Sequence, residues 1–468
     1  MSDKKAKDLL KKLEYEPKHA ADSMSKSDWK KVESLREDYK KYLTACKTER
    51  EAADYMADLA KNAGYVEVTP DAEGGRLFQV YRNKTFMAAI IGEKSVEEGV
   101  NLVISHIDAP RLDLKQRPMY ESCNLALAKT HYYGGIKKYQ WVTRPLALHG
   151  IAFTRDGNAV PLVIGEKPDD PVLTVLDLLP HLAKKAQYGK KIEEAIVAEK
   201  LNVVFGGMPY GESKEKNRFK ANLLSILHRD YDLTEEDLVS AELEIVPAGE
   251  ARDVGLDRGF IGAYGQDDRI CAYTSFAALL DSEKQGRTQV IACMDKEEIG
   301  SYGNTGAQGR FLLDFLGELL AREGKTDERA IRRAMANSLV LSGDVTAAVD
   351  PDWQEVHEKR NAAFTGFGLV LTKFTGSRGK AGASDASAEF LSRIRNLFND
   401  TDVAWQPAEM GKVDEGGGGT VAHYVAAHGA EVLDCGPALL SMHSPMEIVH
   451  ILDFYMTYKG YKAFLEKV

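Results

Sequence analysis

Asn101-Leu102-Val103-Ile104-Ser105-His106-Ile107-Asp108-Ala109-Pro110 decides how this chain folds. Asn101 to Ser105 is a compact apolar run that reads as a strand, and it delivers His106 and Asp108 to the strand's end. An imidazole and a carboxylate there are donors for a metal ion. A carboxylate two residues on can also accept the imidazole's other N–H and hold its tautomer. The plain alternative is that His106 caps a strand and Asp108 makes a turn with Pro110.

The same form recurs along the chain. Gln289 to Met294 reads as a buried strand and leads into Asp295-Lys296-Glu297-Glu298-Ile299-Gly300-Ser301. Adjacent carboxylates leaving a strand point different ways, so one can ligate while the other acts as a general base. The alternative is a solvated acidic loop. Ser338 to Ser342 is another strand, followed by Gly343-Asp344, where the aspartate is a ligand or a turn former. In Gly265-Gln266-Asp267-Asp268-Arg269, Asp267 caps the following helix or bridges two ions with its two oxygens. His443, in Met442-His443-Ser444-Pro445, taken alone is a surface histidine. No single element decides the reading; the ordered set of His, Asp, Glu, Asp and His at strand ends does. Donors of this kind, without thiolate, suit zinc and also cobalt or manganese.

Around these segments strand and helix alternate. The pattern from Asp28 to about Ala63 is helical, with a second start at Thr48, where Thr48 and Glu51 form a capping box, and Gly64 closes it. Strands are expected at Arg76 to Arg82, Phe86 to Ile91, Gly366 to Leu371 and Glu431 to Leu433. Helices are expected at Arg269 to Asp281, Arg310 to Arg322, Ser384 to Phe398 and Thr420 to His428. That rhythm predicts an α/β fold, a three-layer αβα domain on a mixed, largely parallel sheet with helices on both faces. It is interrupted from about Arg111 to Leu243, where Pro, Tyr and Lys are frequent and Leu146 to Phe153 and Val160 to Ile164 read as β structure. A basic helical segment is expected there from Val172 to Leu201. The expected division is residues 1–110 with 244–468 as one domain, and 111–243 as an inserted β-rich domain.

With 468 residues the chain exceeds one core, and 44% hydrophobic and 28% charged residues are those of a globular protein. The formal charge of -10, with no dense Lys/Arg cluster, argues against nucleic acid or anionic lipid as partner. The five scattered cysteines contain no C-x-x-C pair and read as reduced thiols of a cytoplasmic protein. No apolar run approaches the roughly 20 residues of a membrane span.

Ser105 to Pro110, Gln266 to Arg269, Asp295 to Ser301 and Ser342 to Asp344 resemble the aspartyl aminopeptidase family of dizinc exopeptidases. So do Ala383-Ser384-Asp385-Ala386-Ser387-Ala388-Glu389, Gly416 to Thr420 and Met442 to Ser444. The resemblance covers nearly the whole chain. It implies that His106 and Asp344 hold one zinc, Glu298 and His443 the other, with Asp267 bridging. Glu297 would be the general base and Asp108 the residue that orients His106. It further implies peptide substrates with N-terminal Asp or Glu, and assembly into a tetrahedral dodecamer. The inserted domain would make dimer contacts and lend a histidine to a neighbour's active site. His181, in Leu179-Pro180-His181, is the candidate, against a surface histidine on a basic helix.

Two departures bear on specificity. Ala348-Val349-Asp350-Pro351-Asp352-Trp353 lacks the histidine the family often carries at the position of Asp350, and Asp268 stands where Asn is frequent. Lys380 is a candidate partner for an acidic substrate side chain, or a solvated loop lysine. Two rivals share these residues: a dimetal N-acyl amidohydrolase or deacylase, and a self-assembling shell without turnover.

Overall fold

All seven residues of the strand Val100–His106 are buried, and its side chains divide between two cores. Val103 packs among one set of apolar residues, and Val100, Leu102 and Ile104 among another. A strand covered on both faces needs no polar side, which is why its sequence reads as a continuous apolar run. The computed structural model, which describes residues 3–69, 71–212 and 216–468, shows what covers it.

The strand lies near the middle of a nine-stranded sheet. The order across it is Val66–Glu67, Arg76–Tyr81, Thr85–Ile90, Thr288–Met294, Val100–His106, Leu339–Ser342, Glu431–Gly436, Leu369–Thr372 and Trp405–Pro407. Five of the eight neighbouring pairs are parallel, so the sheet is mixed and largely parallel as expected. Helices Lys26–Ala45, Glu49–Asn62, Gln266–Leu280, Ala388–Asp400 and Ile451–Lys467 cover one face. Phe311–Ala321, Glu328–Ala336 and Ala422–Ala426 cover the other, which completes three αβα layers.

Register positions the site. Met294 pairs with His106 on one side of the central strand, and Ser342 pairs with Ile104 on the other. Because these strands are parallel, they end together, and the segments leaving them, Asp295 to Ser301 and Gly343-Asp344, emerge beside His106. Ligands gather at the carboxyl ends of such strands.

A second, wholly antiparallel sheet of seven strands carries its own core. Its first strand in chain order is Arg111–Ser122. The expected break after Leu243 falls inside the strand Glu242–Pro247, which pairs along its length with Leu146–Phe153, so this unit runs to Pro247. The basic stretch Val172 to Leu201 is less helical than expected. It holds the short strand Thr174–Val175, helices Pro180–Ala186 and Ile192–Ala195, and the turn Ala198–Lys200. Helix Arg218–Tyr231 of this unit was not expected.

Caps and turns account for the boundaries. The Thr48 and Glu51 capping box is formed and starts Glu49–Asn62. The strand expected from Gly366 begins only at Leu369, because Gly366 and Gly368 have φ of +86° and +82° and give their N–H groups to buried Asp453 at 2.7 Å each. The helix expected from Ser384 starts after its cap Ser387. The C-terminal helix Ile451–Lys467 went unexpected because thirteen of its seventeen residues are buried, which leaves no apolar stripe to read. Phe464 on it is fully buried. Phe464→Ala is expected to destabilise the protein by about 3–5 kcal/mol, read as a lower midpoint of urea unfolding.

Candidate metal centre

Asp267 lies between two histidines. Its Oδ1 is 3.2 Å from His106 Nε2 and its Oδ2 is 3.1 Å from His443 Nε2, so each oxygen faces a different imidazole. Helix Gln266–Leu280 departs from helical geometry at Asp267 and Asp268 and becomes regular at Arg269, which turns both carboxylates toward the strand ends. His443 is carried by the turn of an antiparallel hairpin between Ala438–Leu440 and Glu447–His450. One buried carboxylate joins these parts: Glu447 accepts the N–H of Asp267 at 3.0 Å and that of His443 at 2.7 Å. Burial, with Asp267 close by, pushes the Glu447 carboxyl up to about 8.

The glutamate pair leaves its strand over Asp108. Asp108 accepts the N–H groups of Glu297 and Glu298, each at 3.2 Å, and its Oδ1 lies 3.2 Å from His106 Nδ1. Glu297 Oε2 sits 4.0 Å from His106 Nε2, and Glu298 Oε1 sits 3.5 Å from His443 Nε2. The two carboxylates therefore face different histidines. Asp344 Oδ1 approaches His106 Nε2 at 4.0 Å from the opposite side.

Electrostatics shows what the cluster lacks. Burial pushes the carboxyls of Glu298, Asp344 and Asp268 well above their ordinary range. Burial acts on Asp267 too, but hydrogen bonds from His106 and His443 outweigh it and hold that carboxyl low. Burial lifts Glu297 to about 7. Among the described residues, no lysine or arginine pairs with Asp267, Glu297, Glu298 or Asp344. The buried oxygens Glu298 Oε1 and Asp268 Oδ1 have no hydrogen-bond partner. Oxygen and imidazole donors with orphaned lone pairs and no protein cation fit divalent metal. Ligand atoms of His106, Asp268 and Asp344 lie within 4.8 Å of one another, and so do those of His106, Asp267 and Glu298. Asp268 therefore belongs to a candidate ligand group, a part that its reading in the sequence did not give it.

Asp267, Glu297, Glu298, Asp344 and His443 line one cavity of about 360 Å³. Lys380 also lines it, 3.9 Å from the centre of the Phe374 ring and paired with Asp385 at 3.2 Å. Arg378 lines it too, and sequence reasoning passed over it. Gly416 to Gly419 form part of the wall. His181 is exposed on Pro180–Ala186 and is not among the residues that line this cavity. Glu447 was also missed; its signal was an acid at the head of the apolar strand Glu447–His450, four residues after His443.

The profile of a family described as aminopeptidase I zinc metalloprotease (M18) matches residues 42–465. The chain belongs to the M18 family of aminopeptidases. A probable M18 family aminopeptidase 1 of Clostridium acetobutylicum is 46% identical over 465 residues, covering 98% of this chain and 99% of that one. The crystal structure of an M18 aminopeptidase from Thermotoga maritima matches with a TM-score of 0.93 at 43% identity, over 97% of this chain and all of that one. A Saccharomyces cerevisiae aminopeptidase solved as a dodecamer shares the fold, with a TM-score of 0.75 at 19% identity over 93% of this chain and 97% of that one. As an M18 aminopeptidase the chain is a zinc-dependent hydrolase, and the amidohydrolase and silent-shell readings are set aside. No helix among the described residues is long and apolar enough to cross a membrane.

Zinc should stabilise this M18 member. Chelator-treated protein is expected to unfold below zinc-resupplied protein, by about 4 kcal/mol when free zinc exceeds its dissociation constant about a thousandfold. Scanning calorimetry checks this, and Asp267→Ala should abolish most of the gain.

Proposed function

We propose that this M18 aminopeptidase removes N-terminal residues from peptides with two metal ions per subunit, most simply zinc. The observation that carries the reading is the Asp267 carboxylate, which offers one oxygen beside His106 and the other beside His443. His106 and Asp344 would hold one ion and Glu298 and His443 the other, with Asp267 shared. Bound there, the metals would supply an acidified water and polarise the scissile carbonyl.

The chain's own groups do the rest. Asp108 fixes His106 and the backbone of the glutamate pair, so that Glu297 projects into the cavity with its carboxylate free. Facing the cavity with no lysine or arginine among the described residues paired to it, Glu297 can take a proton from water and return it to the leaving amine. Glu297→Gln is expected to lower kcat by about 10²–10⁴-fold while zinc content and KM stay near wild type. Metal analysis beside steady-state kinetics on aminoacyl anilides tests this. Full activity in the variant would end the assignment.

The cavity's basic wall favours substrates with an N-terminal Asp or Glu. Lys380 and Arg378 share the cavity with the carboxylate cluster, and Lys380 is balanced by an exposed partner that a substrate carboxylate can replace. Lys380→Met and Arg378→Met together are expected to lower kcat/KM several-fold for Glu and Asp anilides and to leave Leu and Ala anilides unchanged. An equal loss on all four substrates would refute acidic preference.

Self-association fits the outer surface of the seven-stranded unit, proposed as a dimerisation and lid domain. Leu178, Leu179 and Leu182, which flank His181, are 43%, 52% and 64% exposed. Exposed leucines clustered on a soluble chain mark a contact surface. We take that contact to be a second copy, assembled as a tetrahedral dodecamer with His181 directed to the neighbour's site. The five unpaired cysteines suit a cytoplasmic setting.

A further inference from the structure

The strand Leu125–Tyr133 belongs to the seven-stranded sheet, yet its end reaches the metal centre of the αβα body. Tyr133 donates its hydroxyl to Asp108 Oδ2 at 2.8 Å. Asp108 is the residue that lies against His106 Nδ1 and accepts the N–H groups of Glu297 and Glu298. The phenol is held in turn. The Arg111 guanidinium lies 3.9 Å from the centre of the Tyr133 ring, and Arg111 is anchored by Glu49 of the body and by Asp113 and Glu244 of the second sheet.

Two residues further on, the Gly135 carbonyl lies 2.9 Å from His443 Nδ1, which leaves Nε2 facing Asp267 and Glu298. Between them Gly134, at φ +73°, lays its backbone against Glu298, where a Cβ would come within 3.3 Å of Glu298 Cβ and Oε2. A Cβ on Gly135 would come within 3.1 Å of His443 Nδ1. One three-residue turn from the inserted sheet thus touches Asp108, which lies against His106, and touches His443 and Glu298 directly.

An imidazole binds metal through one nitrogen, and the partner of its other nitrogen sets tautomer and ring orientation. We propose that Tyr133-Gly134-Gly135 is a positioning segment through which the inserted unit orients both sides of the metal centre. Tyr133 acts on His106 through Asp108, and Gly135 acts on His443 directly. The inference rests on the reading of these histidines as metal ligands. It makes metal affinity a property of how the two units sit together at Arg111 and Tyr133.

The test uses full-length protein stripped of metal and titrated with zinc against a chromogenic chelator, with cobalt(II) spectra recorded in parallel. Tyr133→Phe keeps the ring beside Arg111 and loses only the hydroxyl. It is expected to bind one zinc about 10- to 100-fold more weakly and to shift the cobalt bands, while circular dichroism stays native. Gly135→Ala is expected to weaken the other zinc. Tyr132→Phe, at a neighbouring position that is 41% exposed, should match wild type. Wild-type zinc affinity and cobalt spectra in either variant overturn that residue's part. A wild-type chain that binds no zinc overturns the metal reading itself, and the positioning role falls with it.

Discussion

A buried carboxylate must find a positive partner or take up a proton, and at the ends of three parallel strands this chain gathers more carboxylates than its own cations can answer. Asp267, Glu297, Glu298, Asp344 and Asp268 converge on two imidazoles. The surrounding fold is arranged to hold that imbalance in place. Glu447 ties the helix that carries Asp267 to the hairpin that carries His443, and Asp108 ties the central strand to the glutamate pair. These supports are themselves acids, so the outer layer deepens the demand for cations and does not relieve it.

The architecture divides the labour between its two units. The αβα body provides the strand ends and therefore the candidate ligands. The antiparallel unit provides part of the frame, because Arg111 and Tyr133 stand where its first strands meet the body. Ionic contacts at that seam are well buried around Arg111, Glu49 and Glu244. Breaking such contacts is costly once the groups are out of water, so the seam resists sliding.

The chain order of the candidate site was legible where a candidate donor follows a strong local signal. An apolar strand stops, and an acid, a histidine or a glycine follows, as at Val100–His106 and Thr288–Met294. Thr48 and Glu51 likewise announced a helix start by local chemistry that the structure forms. The signals failed where environment replaces pattern. Ile451–Lys467 is buried nearly all round and has no stripe, and Glu242–Pro247 joins a sheet whose other strands lie far off in sequence.

By itself the sequence determined the strand-and-helix rhythm, the family resemblance and which residues are candidate donors, since these depend on residue types at short spacing. Only the tertiary structure decided which histidine faces which oxygen of Asp267, that Asp268 joins the cluster, and that Glu447 and Tyr133 stand behind it. The reason is physical. A donor's identity is a property of one residue, whereas its aim depends on strand register and on partners brought together from distant parts of the chain.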